Sequence, residues 1–313
     1  MLLEVKNLKT YFHTHEGVLK AVDGVSFSVE KGSITCIVGE SGSGKSVTAL
    51  SILRLIDPPG EIIGGEILFE GRDLLKLSLE EIRGIRGRKI SIIFQDPMTS
   101  LNPVLKIGEQ IAEQIKAHLK LSKSEAWKRA VDLLKIVGIP NPEMSVHSYP
   151  HQFSGGMRQR VLIAIAISCS PSLLIADEPT SELDVVVQAQ ILKLLRDLVR
   201  ENKMGLLFIT HDFSIVEAIG EHVVVMYGGR VMERGRSRDI LNYPLHPYTK
   251  ALLECLPRMG VKNMLKTISG RASYVKSGCP FAPRCSEARD ICEFETPVEF
   301  KVGARYVACN LYR

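Results

Sequence analysis

Gly39-Glu40-Ser41-Gly42-Ser43-Gly44-Lys45-Ser46 fits G-x-x-x-x-G-K-[ST], directly after the apolar run Ile34 to Val38, and a helix-forming stretch that includes Val47 follows Gly44. Gly39, Gly42 and Gly44 let the backbone wrap close to phosphate oxygens, with N–H groups such as those of Ser41 and Ser43 facing the negative charge. Lys45 is placed to reach β- and γ-phosphates, and the Ser46 hydroxyl to ligate Mg²⁺. Far downstream, Leu173-Leu174-Ile175-Ala176-Asp177 is an apolar run ending in two carboxylates, Asp177 and Glu178. On its own such a pair can also be read as a helix cap. With a phosphate loop upstream, a magnesium-linked role accounts for two carboxylates at the end of a buried strand. Asp177 then holds Mg²⁺, directly or through water, and Glu178 polarises the water that attacks the γ-phosphate.

Between Gln95 and His211 the chain resembles an ATP-binding cassette. Phe153-Ser154-Gly155-Gly156-Met157-Arg158-Gln159 resembles the family signature that opens a helix, about twenty residues before Asp177-Glu178. Physically, Ser154, Gly155 and Gly156 expose N–H groups at a helix N-terminus, a second anion site distinct from the first. The resemblance implies a head-to-tail dimer in which each signature caps the ATP on its partner's phosphate loop. It also implies that Gln95 senses the γ-phosphate and magnesium near the docking surface for membrane helices. His211 matches the switch histidine that contacts the γ-phosphate, and Asp184 the cross-dimer aspartate loop. The sequence departs from the family at Glu182, where a small residue is usual. An aromatic ahead of the phosphate loop stacks on adenine in this family; the register favours Phe12, with Tyr11 as the alternative.

Four of seven cysteines crowd the C-terminus as C-x5-C-x6-C-x16-C: Cys279, Cys285, Cys292 and Cys309. Without an export signal, disulfides are a poor first explanation and a metal centre a better one. No pair has the two-to-four-residue spacing usual for structural zinc, which stays open as an alternative beside unliganded thiols. This tail, with His246-Pro247-Tyr248-Thr249 before it, resembles the C-terminal extension of ATPase subunits from dipeptide and oligopeptide importers of bacteria and archaea. The resemblance implies a [4Fe-4S] cluster on the four thiolates. It further implies a second, related ATPase subunit, two integral membrane permease subunits and, indirectly, an extracytoplasmic peptide-binding protein, with the chain peripheral at the cytoplasmic face of the membrane.

Positioning these residues calls for an α/β fold. Residues 1 to about 95 read as short strands around one phosphate-loop helix, and Ile107 to Gly138 as helical, with a Ser122/Glu125 capping box. Buried strands and a helix from Val186 to Arg200 follow. By resemblance this is a RecA-like core with an antiparallel β subdomain and a helical subdomain at about 96–165. The cassette spans 1–240, and a small metal-binding extension spans 241–313. The composition, 45% hydrophobic and 24% charged, is that of a globular protein, and the longest apolar run, Val161 to Ile167, is too short to span a bilayer. A net charge of +5 is modest, and the basic run Arg83 to Lys89 lacks interleaved aromatics, so it reads as a solvated face. Nucleic acid is not expected as a partner. Rival readings are a soluble cassette ATPase acting on nucleic acid or the ribosome, and a cassette for nickel or another small solute.

Overall fold

The computed structural model describes residues 1–255, 268, 270 and 277–313. The first strands are β1 (Leu3–Thr14), β2 (Gly17–Val29), β3 (Ile34–Val38), β4 (Gly60–Phe69) and β5 (Arg72–Asp73). Next come β6 (Ile90–Ile93), β7 (Leu173–Asp177), β8 (Gly205–Thr210), β9 (His222–Tyr227) and β10 (Arg230–Arg236). Two short strands, β11 (Phe300–Val302) and β12 (Arg305–Val307), lie near the C-terminus. Among the described residues these form an antiparallel sheet, β2-β1-β4-β5, and a larger sheet, β11-β12-β10-β9-β3-β8-β7-β6.

In the larger sheet β3 pairs in parallel with β8 and β9, and β7 with β8 and β6. Every residue of β3, β7 and β8 is buried, which is why these segments read as unbroken apolar runs. Alternate side chains nevertheless serve different cores. Ile37, Leu173 and Ile175 pack toward the antiparallel sheet, whereas Cys36, Val38, Leu174 and Ala176 join the helical side. Parallel strands end at one edge, so β3, β7 and β8 deliver the phosphate loop, Asp177 and His211 to the same place.

The helical region packs Ile107–His118, Lys123–Ile136 and Gly155–Ile167 through Ile111, Ile115, Ala126, Ala130 and Leu134. The Ser122/Glu125 capping box forms, each partner bonding the other's backbone N–H.

The structure departs from the sequence reading in two places. A helix at Leu79–Ile85 interrupts the β-rich opening; it buries only Ile82, so no apolar stripe betrays it, although Ser78 and Glu81 cap it. The basic run is not all solvated: Arg86 turns inward and donates to the carbonyls of Leu53 and Arg54 at 2.7 and 2.8 Å, while Arg83, Arg88 and Lys89 stay exposed. The C-terminal segment is joined to the core through the sheet itself, since β12 pairs with β10 and the Ala308 N–H donates to the Met232 carbonyl. Three-residue strands are too short for periodicity to reveal.

Candidate nucleotide site

A cavity of about 750 Å³ is lined by the phosphate loop together with Gln95, Glu178 and His211, a volume suited to a nucleotide-sized ligand. Gly44 has φ +97°, and a β-carbon there would run into the Ala21 carbonyl oxygen. Gly44 also precedes the helix Lys45–Ile52, whose first amides receive no side-chain cap and so stay available to an anion.

Lys45 is only 4% exposed. Its Nζ donates to the carbonyls of Gly39 and Glu40 at 2.9 and 3.0 Å and lies 3.9 Å from the Glu178 carboxylate. Burial lowers its pKa, and Glu178, Asp177 and Glu40 pull it back up. The Ser46 hydroxyl donates to Asp177 Oδ1 at 3.0 Å. Burial raises the Asp177 pKa, the hydrogen bond from Ser46 opposes this, and Glu178 adds to it. A buried carboxylate beside a hydroxyl and a second acid gathers hard oxygen donors suited to a divalent cation.

Glu178 takes a left-handed backbone conformation, φ +45°, that non-glycine residues rarely adopt. Its N–H bonds the Ile209 carbonyl and its own carbonyl accepts the Ser181 hydroxyl, which hold that turn. The side chain is thereby set between Lys45 and His211, whose Nδ1 is 3.0 Å from Glu178 Oε2. Phe12 lines the cavity. Tyr11 is engaged elsewhere: its hydroxyl donates to Asp23 Oδ1 at 2.8 Å, and burial, then Asp23, pushes its pKa up to about 12.

Ser154, Gly155, Gly156 and Asp184 do not line this cavity. Ser154 caps the helix Gly155–Ile167 by accepting the Met157 N–H, and Asp184 caps Val185–Asn202 by accepting the N–H groups of Val186 and Val187. The two helix starts abut: a β-carbon on Gly156 would press on Val187, and one on Gly155 would meet Leu183. They form a second surface, flanked by the exposed Val185 and Val186.

In the C-terminal segment Cys279, Cys292 and Cys309 are buried and Cys285 is half-buried. The Cys279 N–H donates to the Cys292 carbonyl at 2.7 Å. Burial pushes the Cys279 thiol up to about 11, and ionised Cys292, Cys309 and Cys285 would raise it further, so the four thiols share one neighbourhood. Among the described residues, however, no group of three or more His, Cys, Asp or Glu is arranged to hold a metal ion, so the thiols form no ready-made shell for the metal centre expected from their spacing.

Sequence reasoning passed over several residues at the cavity. Leu19, Ala21 and Leu252 contribute apolar wall, and Glu40, a variable position within the loop pattern, lines it too. Only the position of Glu40 inside the motif was a signal; the others lack chemistry that spacing can reveal.

A phosphate loop and a strand-end Asp-Glu pair, with a second capped helix start set apart from the cavity, define a nucleoside-triphosphatase of the cassette class. Residues 22–181 match the ABC transporter family, and the chain belongs to that family. It is an ATPase whose hydrolysis is coupled to transport. Residues 232–292 match the oligopeptide/dipeptide transporter C-terminal region. The chain is 50% identical to the oligopeptide transport ATP-binding protein OppD of Bacillus subtilis, over 96% of this chain and 86% of that one. It is 48% identical to the dipeptide transport ATP-binding protein DppD of the same organism, over 93% and 89%. A dimeric bacterial ABC transporter cassette superposes with a TM-score of 0.68 at 28% identity, covering 75% of this chain and 99% of that one. Among the described residues no helix is long and apolar enough to cross a membrane.

Proposed function

We propose that this chain hydrolyses ATP at the seam of a cassette pair and so drives uptake of dipeptides and oligopeptides through two separate integral membrane subunits. The carrying observation is that the cassette and the 232–292 region occur together in a chain similar over nearly its whole length to proteins named for peptide transport.

The loop from Gly39 to Val47 holds the phosphates, with Lys45 leaving its backbone carbonyls to meet the β- and γ-phosphates and Phe12 stacking on adenine. Ser46, Asp177 and Gln95 would hold Mg²⁺, which would supply charge neutralisation for the phosphates. Glu178 accepts the proton of the attacking water. His211 orients Glu178 through their 3.0 Å contact and faces the γ-phosphate. Ser154, Gly155, Gly156 and Asp184 sit apart from the chain's own cavity, which supports their reaching a partner's nucleotide: ATP closes the pair and hydrolysis reopens it. The partner is a second, related ATPase subunit. The assembly sits at the cytoplasmic face of a bacterial or archaeal membrane, with an extracytoplasmic peptide-binding protein delivering the substrate.

Co-purification tests the reading. Recovery with two integral membrane subunits, and ATPase activity stimulated by peptide-loaded binding protein, is the expected result. Recovery with ribosomes or nucleic acid, or stimulation by nickel instead of peptide, would overturn it.

For the cysteine-rich segment we propose a [4Fe-4S] cluster on Cys279, Cys285, Cys292 and Cys309, supported by the shared neighbourhood of the four thiols and the Cys279–Cys292 backbone bond. Zinc is the alternative, and the absence of any cysteine pair two to four residues apart speaks against it. Anaerobically purified protein is expected to be brown; colourless protein with stoichiometric zinc would sink the assignment.

A further inference from the structure

Glu40, the second residue of the phosphate loop, is held at three of its atoms. Its carbonyl accepts from Lys45 within the loop at 3.0 Å. The other two partners come from the C-terminal segment, more than two hundred residues away. The Glu40 N–H donates to the Tyr248 hydroxyl at 2.9 Å, and Glu40 Oε2 accepts from Arg284 Nη1 at 2.8 Å. Arg284 is not a loose surface cation: its side chain is 7% exposed, and Nη1 also donates to the Tyr227 hydroxyl at 3.1 Å. Tyr227 packs edge-on against Tyr248 and Phe281, which tilt against each other, at 4.7 to 5.3 Å between ring centroids, so the group behind Arg284 is itself fixed. Pro280 closes in on Gly228, whose neighbour Gly229 donates its N–H to the Ser43 carbonyl, which gives the cysteine-rich loop a further route to the phosphate loop.

From these contacts we infer that Arg284 is a positioning residue for nucleotide binding: through Glu40 the C-terminal segment braces the phosphate loop in its phosphate-ready shape. The physical reason is preorganisation. Loop amides bind phosphate only when already turned toward it, and a part-buried, charge-assisted bond at residue 40 removes alternatives that binding would otherwise have to freeze out. The inference rests on the reading that the 39–46 loop holds ATP.

The experiment measures Mg²⁺-ATP affinity of the full chain by calorimetry. Arg284→Ala and Glu40→Gln are each expected to weaken binding about fivefold, the double variant no more than either single, and Arg284→Lys to an intermediate degree. Unchanged affinity in both single variants, or effects that multiply in the double, would overturn the brace, as would a lowered melting temperature with affinity intact. Glu40 lies outside the cysteine loop, so its variant separates the brace from damage to that loop, and it carries the comparison with Arg284→Lys if Arg284→Ala does not fold. A Lys45→Ala control distinguishes the two layers. Lost binding there upholds the loop reading whatever Arg284 does, whereas retained binding refutes the loop reading and the brace together.

Discussion

His211 Nδ1 lies 3.0 Å from Glu178 Oε2, although thirty-three residues separate them and they follow different strands. The contact exists because β7 and β8 are parallel neighbours whose ends coincide, and because the left-handed turn at Glu178 swings its carboxylate across. Glu178→Gln is expected to keep ATP binding while kcat falls by roughly 10²-fold or more, since the amide cannot take the proton of the attacking water. His211→Ala should lower kcat with little change in affinity. Single-turnover hydrolysis alongside binding measurements checks both, and normal turnover in Glu178→Gln would refute the base assignment.

Ser46 and Asp177 meet at 3.0 Å with Asp177 buried, so on the proposed function a bound cation would take both oxygens. Ser46→Ala and Asp177→Asn are each expected to raise the Mg²⁺ concentration required for hydrolysis by about tenfold or more, and chelation to abolish activity in the unaltered chain. Titrating Mg²⁺ at saturating ATP reads the shift.

Gly44 combines a left-handed backbone with contact against the Ala21 carbonyl. Gly44→Ala is expected to cost about 2 kcal/mol of stability and to lose most nucleotide affinity, because the loop must shift to admit the methyl group. Urea unfolding and nucleotide titration measure the two losses.

The buried His246 accepts the Tyr248 N–H at Nδ1, and burial depresses its pKa to about 3. The unfolded chain protonates it first, so its contribution to stability is complete above about pH 6.5 and is lost as pH falls toward 3. His246→Gln is expected to remove about 1.4 kcal/mol per pH unit of slope from stability between about pH 6 and pH 5. Glu233, whose pKa burial raises, has the opposite sign and accepts the backbone N–H of residue 246, a bond that a glutamine can also make, so the difference between the two denaturation curves reads chiefly the imidazole.

The phosphate loop, the Asp177-Glu178 pair and the buried strands were legible in the sequence because each is local. A glycine pattern dictates a turn, and a strand buried on both faces has to be apolar along its length. The Ser122/Glu125 cap was legible for the same reason, both partners lying within one turn. The Leu79–Ile85 helix was not, since a single buried residue leaves no period to detect.

By itself, then, the sequence determined the cassette class and the loop and strand-end motifs that mark it, because those motifs work through backbone geometry encoded within a few residues. Only the tertiary structure decided how distant pieces meet. It set Glu178 between Lys45 and His211, turned Tyr11 to Asp23 while Phe12 lines the cavity, and ran β12 alongside β10. It also brought Arg284 onto Glu40, a part-buried ion pair between residues whose separation along the chain carries no pattern, with Tyr227, Tyr248 and Phe281 packed behind it.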